Sequence, residues 1–191
     1  MSEQDRTKWN RKYHDKPTLL EERPPSKLVE RYFEQAPGKK ALDLACGSGR
    51  HTLFLAKKDF EVDAADISSV ALAALGKKST GLKVNLMEVD LDTFTPDAKR
   101  YDLIIKCNYL DRTLISRTAR TLKSGALFII ETYMQHPENE KKDSNPDYLL
   151  QPGELKQYFE NDFDILAYEE FWNEDYELYR MKKQGIVAQK R

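Results

Sequence analysis

The chain of 191 residues has the length of one domain, and 40% apolar residues supply a packed core, which excludes disordered, collagen-like and low-complexity classes. Its 31 Lys and Arg against 32 Asp and Glu leave a net charge of −1, without the basic excess of a chain that holds nucleic acid through phosphates. No apolar run approaches the about 18–20 residues that cross a bilayer, and the polar start MSEQDRTKWNRKYHDK is unlike a signal peptide, so a soluble, cytoplasmic protein with no membrane partner is expected.

In chain order, the first elements are helical. Trp9 and Tyr13 are four residues apart and share one helical face, and Pro24-Pro25-Ser26 opens a second helix with Leu28, Val29, Tyr32 and Phe33 on its buried side. Residues 39–45 read as a strand running into Gly47-Ser48-Gly49, followed by a helix over 50–58. The pattern recurs as strand 60–66, a serine-capped helix 69–78, strand 83–89, strand 101–107, helix 112–122 and strand 126–133. After a polar stretch over 135–147, residues 152–159 suit a short helix, and 164–172 with 176–188 read as an antiparallel hairpin around Asn173-Glu174-Asp175. Strands alternating with helices predict an α/β fold, a parallel sheet with helices on both faces and ligands at the C-terminal strand ends. The division expected within this single domain, 1–191, is a helical segment 1–37, a core 38–133, and a loop with the hairpin over 134–191.

The most informative string is DLACGSGR, residues 43–50. Glycines after a first strand let the backbone approach a ligand and turn into a helix whose amides favour a polar or negative group. A dinucleotide fingerprint needs a third glycine where Thr52 stands, which argues against a nicotinamide-dependent oxidoreductase. Asp43 suits an ammonium group or ordered water better than a pyrophosphate, so a nucleoside carrying an amino acid is the preferred ligand. Asp66 ends the second strand 17 residues after Gly49, near the spacing at which a carboxylate meets ribose hydroxyls. Asp90 follows the third strand and can accept from an exocyclic adenine amine, with Ile67 and Leu91 against the ring.

DLACGSGR, VDAADIS with the helix VALAAL, EVDL, YDLIIKCNYL and LKSGALFIIETY together resemble the class I S-adenosylmethionine-dependent methyltransferases. The opening WNRKYH and the later YLLQPGEL look like the small bacterial methyltransferases related to tellurite-resistance and thiopurine enzymes. The resemblance implies a Rossmann-like three-layer sandwich with a mostly parallel seven-stranded sheet ending in the antiparallel hairpin, and S-adenosylmethionine as cofactor with S-adenosylhomocysteine as product. It implies that Asp43, Ala45, Gly47 and Gly49 line the methionine portion, Asp66 and Ile67 the ribose, and Asp90 and Leu91 the adenine, with Cys107 and Asn108 closing the pocket. Ala45 stands where a first glycine is usual. Tyr13 and Trp9 form a lid by the same resemblance, and Arg50 is a candidate partner for the cofactor carboxylate or a substrate anion.

Methyl transfer from a sulfonium needs alignment and exclusion of water rather than a dedicated nucleophile, so no catalytic residue is assigned. Asn108-Tyr109 is not the Asn/Asp-Pro-Pro-Tyr/Phe string of amino-group methylases, and the Pro-Cys pair of cytosine methylases is missing. Residues 138–179 hold thirteen acidic residues and three Lys, which repels polyanions. A small-molecule acceptor is therefore expected, a thiol or chalcogen oxyanion, reached beside Tyr109, Arg112 and Tyr133 beneath the loop 134–151, in a monomer or homodimer without nucleic acid. A non-catalytic cofactor-binding protein is the alternative. Cys46 and Cys107 read as buried structural thiols, His51 and His136 as surface residues, and no metal is expected.

Overall fold

A computed structural model describes residues 3–191; residues 1 and 2 of the expected N-terminal segment lie outside it. Seven strands, β1 (Lys40–Leu44), β2 (Glu61–Asp66), β3 (Val84–Glu88), β4 (Leu103–Cys107), β5 (Leu127–Tyr133), β6 (Phe163–Trp172) and β7 (Lys182–Lys190), form one sheet in the order β3-β2-β1-β4-β5-β7-β6. The first five are parallel, whereas β7 runs antiparallel to both β5 and β6. The helices are α1 (Glu3–Asp15), α2 (Lys27–Tyr32), α3 (Arg50–Ala56), α4 (Ser69–Lys78), α5 (Arg112–Ala119) and the single turn α6 (Glu154–Gln157).

Alternation along the central strands sends side chains to two cores, which makes the architecture a three-layer sandwich. Ala41, Leu103, Ile105, Leu127 and Ile129 pack with Leu28 and Val29 of α2 and Leu55 of α3. Leu42, Leu44, Ile104, Phe128 and Ile130 pack with Leu114 and Ile115 of α5, Leu155 of α6 and Phe159. Side-chain caps set several helix starts: Ser26, Ser68 and Asp111 each accept a hydrogen bond from an amide three residues on. Tyr32 is only half-buried, since the chain tightens into a 3-10 turn after it and Phe33 takes the core position instead.

The chain leaves β1 for β2 on one side and returns through β4 on the other, so the strand order reverses between β1 and β4. The C-terminal ends of β1, β2, β3, β4 and β5 therefore open toward one edge.

The C-terminal hairpin differs from its expected extent. Its second strand starts at Lys182 rather than Tyr176, because residues 173–181 form a loop closed on itself. Asn173 donates to the Tyr179 carbonyl at 2.8 Å and accepts from the Met181 amide at 2.9 Å. The expected helix over 152–159 shrinks to α6, starting after Gly153, which adopts a left-handed conformation.

Candidate functional site at the strand ends

At the end of β1 the backbone turns sharply. Ala45 has φ +56°, Gly47 +53° and Gly49 +83°, and Asn108, just after β4, has +57°. Adjacent parallel strands thus both end in left-handed residues, a conformation costly for residues with a Cβ. A Cβ on Gly49 would run into Leu75 of α4, so this glycine serves helix packing. A Cβ on Gly47 would lie 2.8 Å from the Tyr13 hydroxyl, so Gly47 lets that hydroxyl of α1 pack against the loop.

Asp66, at the end of β2, organises this turn. Its two carboxylate oxygens accept from the Gly47 amide at 2.8 Å and the Ser68 amide at 2.9 Å. Burial raises its pKa, against the lowering effect of these amides. Asp43 is buried beneath the loop, where its Oδ2 accepts from both the Thr52 amide (3.1 Å) and the Thr52 hydroxyl (2.7 Å). Desolvation pushes the Asp43 carboxyl up to about 6, opposed by Thr52 and by the charge of Arg50. Thr52 thus has a positive role, locking β1 to α3, that the missing glycine alone did not indicate.

α1 covers the loop. Asn10 Oδ1 accepts from the Ser68 hydroxyl at 2.7 Å and its Nδ2 donates to Ser69 at 3.2 Å, tying α1 to the start of α4. Tyr13 stacks at 6.0 Å from Trp9, and burial together with the nearby Asp66 raises its phenol pKa, keeping it protonated. The Ser48 hydroxyl donates to the Leu19 carbonyl at 3.2 Å, which holds the segment after α1 against the glycine turn.

Ile67 and Leu91 are buried, and Asp90 shapes the turn after β3 by accepting from the Asp92 amide at 2.9 Å. Tyr109 is half-buried, and burial, followed by the charges of Asp111, Asp90 and Asp5, raises its pKa. Cys46 and Cys107 are buried free thiols, both pushed up by desolvation and neighbouring carboxylates.

Several polar residues have partners that their sequence context did not indicate. Arg50 is engaged by the β6–β7 loop: its Nη1 donates to Glu174 at 3.1 Å and to the Tyr176 hydroxyl at 2.8 Å. Tyr133 donates to Glu177 of the same loop. Arg112 forks onto Glu154 at 2.7 and 3.1 Å and onto the carbonyls of Asp147 and Leu149 at 2.8 and 3.1 Å, so it pins the segment 147–154 to α5. His51 is buried rather than on the surface, its Nε2 accepting from the Ser26 amide at 3.2 Å, and desolvation holds it neutral. His136 is half-buried edge-on to Trp172, with ring centroids 5.2 Å apart.

Two features escaped sequence reasoning. Lys106 sits fully buried in β4 and donates to the Tyr109 carbonyl, and desolvation lowers its amine to about 7. A polar cluster on the α2/α3 face joins Glu131 of β5 and Lys183 of β7 with Arg50, Glu174 and Glu177. The single charges of Lys106 and Glu131 inside apolar runs were its only sequence signal.

Residues 41–125 match a family described as methyltransferase domain. No curated protein sequence matches the chain. Among solved structures, TehB from Haemophilus influenzae superposes with a TM-score of 0.77 at 21% identity over 87% of this chain, and the chain spans 63% of that protein's length. A SAM-dependent methyltransferase from Methanosarcina mazei gives 0.69 at 18% identity, covering 88% of this chain and 99% of its own. The glycopeptide N-methyltransferase MtfA, complexed with S-adenosylhomocysteine, gives 0.63 at 18% identity, covering 88% and 91%.

Proposed function

We propose that this chain, whose residues 41–125 match a methyltransferase domain, is a class I S-adenosylmethionine-dependent enzyme that transfers a methyl group to a small-molecule acceptor, a thiol or chalcogen oxyanion, in the cytoplasm as a monomer or homodimer. The observation that carries this reading is the convergence of Gly47, Asp66 and Tyr13 at the ends of β1 and β2, beside the point where strand order reverses.

The residues present fit the cofactor. Gly47 carries no Cβ against a close approach and Asp66 offers a carboxylate to ribose hydroxyls, while Ile67 and Leu91 are buried beneath the strand ends. Tyr13, Asp43, Ala45, Gly47 and Gly49 hold the methionine end in this assignment, with Cys107 and Asn108 closing the pocket. When bound, S-adenosylmethionine supplies a sulfonium-activated methyl group. The chain's own contribution is to fix and dry the site. Asp66 holds the Gly47 amide in place, α1 shields the loop from water, and the fork of Arg112 keeps the segment 147–154 down beside Tyr109. No helix of the described residues is long and apolar enough to cross a membrane.

Calorimetric titration with S-adenosylmethionine, S-adenosylhomocysteine and NADH tests the reading. Micromolar binding of the two sulfur nucleosides without NADH binding is expected. Asp66→Ala should weaken that binding about 10- to 100-fold, the scale of lost hydrogen bonds to a charged group. Unchanged affinity in a variant with native circular dichroism removes Asp66 from the site.

A further inference from the structure

Glu131 is 1% exposed, and its Oε1 has no hydrogen-bond partner among the described residues. Arg50 Nη2, also buried and without a hydrogen-bond partner, lies 3.9 Å from that oxygen, and Lys183 Nζ lies 3.5 Å away. Both side chains already serve other partners. Arg50 Nη1 serves Glu174 and Tyr176, and Lys183 serves Glu174 and Glu177 at 2.8 Å each. A buried donor and a buried acceptor that face each other across a gap too long for a hydrogen bond call for one bridging group that both gives and takes a proton.

The charges around the gap select that group. Glu131, Glu174 and Glu177 face Arg50 and Lys183, so the cluster carries one excess negative charge. A fully deprotonated oxyanion would add to that excess and would offer Glu131 no proton. A neutral hydroxyl or thiol accepts from Arg50 and donates to Glu131 without changing the total. Glu131 pairs in register with Cys107 at the end of β4, on the strand-end side of the sheet where the cofactor assignment lies.

Resting on the methyltransferase reading, we propose that Arg50 and Glu131 form the acceptor subsite, that the acceptor is a neutral O–H or S–H group, and that Glu131 takes its proton. The acceptor's lone pair forms the bond to the methyl carbon, the methyl–sulfur bonding pair stays on sulfur as a thioether, and the acceptor's proton passes to Glu131 Oε1. Positive charge lost at sulfur is matched by negative charge lost at the carboxylate. Burial already favours the neutral form of Glu131, against the pull of Lys183 and Arg50, which suits it to receive a proton.

Two readouts test this on the full chain. In the first, benzyl mercaptan, catechol and selenite are offered with S-adenosylmethionine to the wild type, Glu131→Gln and Glu131→Asp. The expected result is transfer to benzyl mercaptan or catechol and not to selenite, a 100-fold or greater fall in kcat for Glu131→Gln, partial recovery in Glu131→Asp, and loss of the acidic limb of the pH profile. In the second, the neutral probe that accepts methyl is titrated by calorimetry into the S-adenosylhomocysteine complex. Glu131→Gln should weaken it at least 10-fold while the nucleoside still binds with wild-type affinity. A wild type that binds no sulfur nucleoside defeats the underlying reading. One that binds the nucleoside but prefers selenite, methylates neither neutral probe, or keeps its kcat and pH profile in Glu131→Gln overturns the subsite and leaves the gap to a structural water.

Discussion

Ala45 carries a Cβ at φ +56° in the turn that approaches the assigned cofactor position. A left-handed residue with a Cβ costs about 1–2 kcal/mol, and glycine at the same place costs less in the fold but more chain entropy. Ala45→Gly should therefore raise stability by about 0.5–1 kcal/mol, the difference between those costs. A denaturant midpoint that stays put or falls would count against strain at this turn. Lys106 illustrates burial acting on charge. Its amine titrates near 7 in the fold against 10.5 when solvated, so between these values the unfolded chain binds more protons and stability rises with pH. Below about 7 both states are protonated and the penalty is complete. Lys106→Met should abolish that rise, whose slope is at most about 1.4 kcal/mol per pH unit. Urea unfolding across this range checks it, and an unaltered slope would show that Lys106 is solvated.

The segment between β5 and β6 is held as much by one side chain as by its own turns. Arg112 on α5 supplies four hydrogen bonds to Asp147, Leu149 and Glu154, while Gln184 of β7 accepts from the Leu155 amide at 3.2 Å. Its side chain is 39% exposed, which lowers the worth of each charged bond. Arg112→Ala should destabilise the protein globally by only about 1 kcal/mol, yet free the 135–151 segment, read as faster limited proteolysis there. Equal cleavage rates in both proteins would mean the segment is anchored elsewhere. The loop 173–181 is held differently, by ion pairs reaching inward to Arg50 and Lys183 and by Arg23 over the Tyr176 ring at 4.8 Å. Turn chemistry at Asn173-Glu174-Asp175 suggested a tight hairpin, but Glu174 pairs with Arg50 and Lys183 and Glu177 with Lys183, and six further residues lie in the loop rather than in the strand.

At the scale of the molecule, the sheet brings five parallel strand ends to one edge, and the helices sort to the two faces by the alternation of apolar residues along β1, β4 and β5. α1, polar along most of its length, is attached through Asn10 and Tyr13 rather than through a buried stripe, which suits an element that covers a site. The sequence by itself determined the α/β alternation, the glycine turn at 47–49, and the acidic residues at the ends of β1, β2 and β3, because strand periodicity, left-handed turns and caps are local properties. Only the tertiary structure decided where those carboxylates are spent: Asp43 on Thr52, and Asp66 on the Gly47 and Ser68 amides. It also decided that Arg50 meets Glu131 and Glu174, residues 81 and 124 positions away in the chain. A long-range ion pair leaves no periodic trace in the sequence. Its partners are chosen by which strand ends the sheet order places side by side and by the absence of water to compete for them.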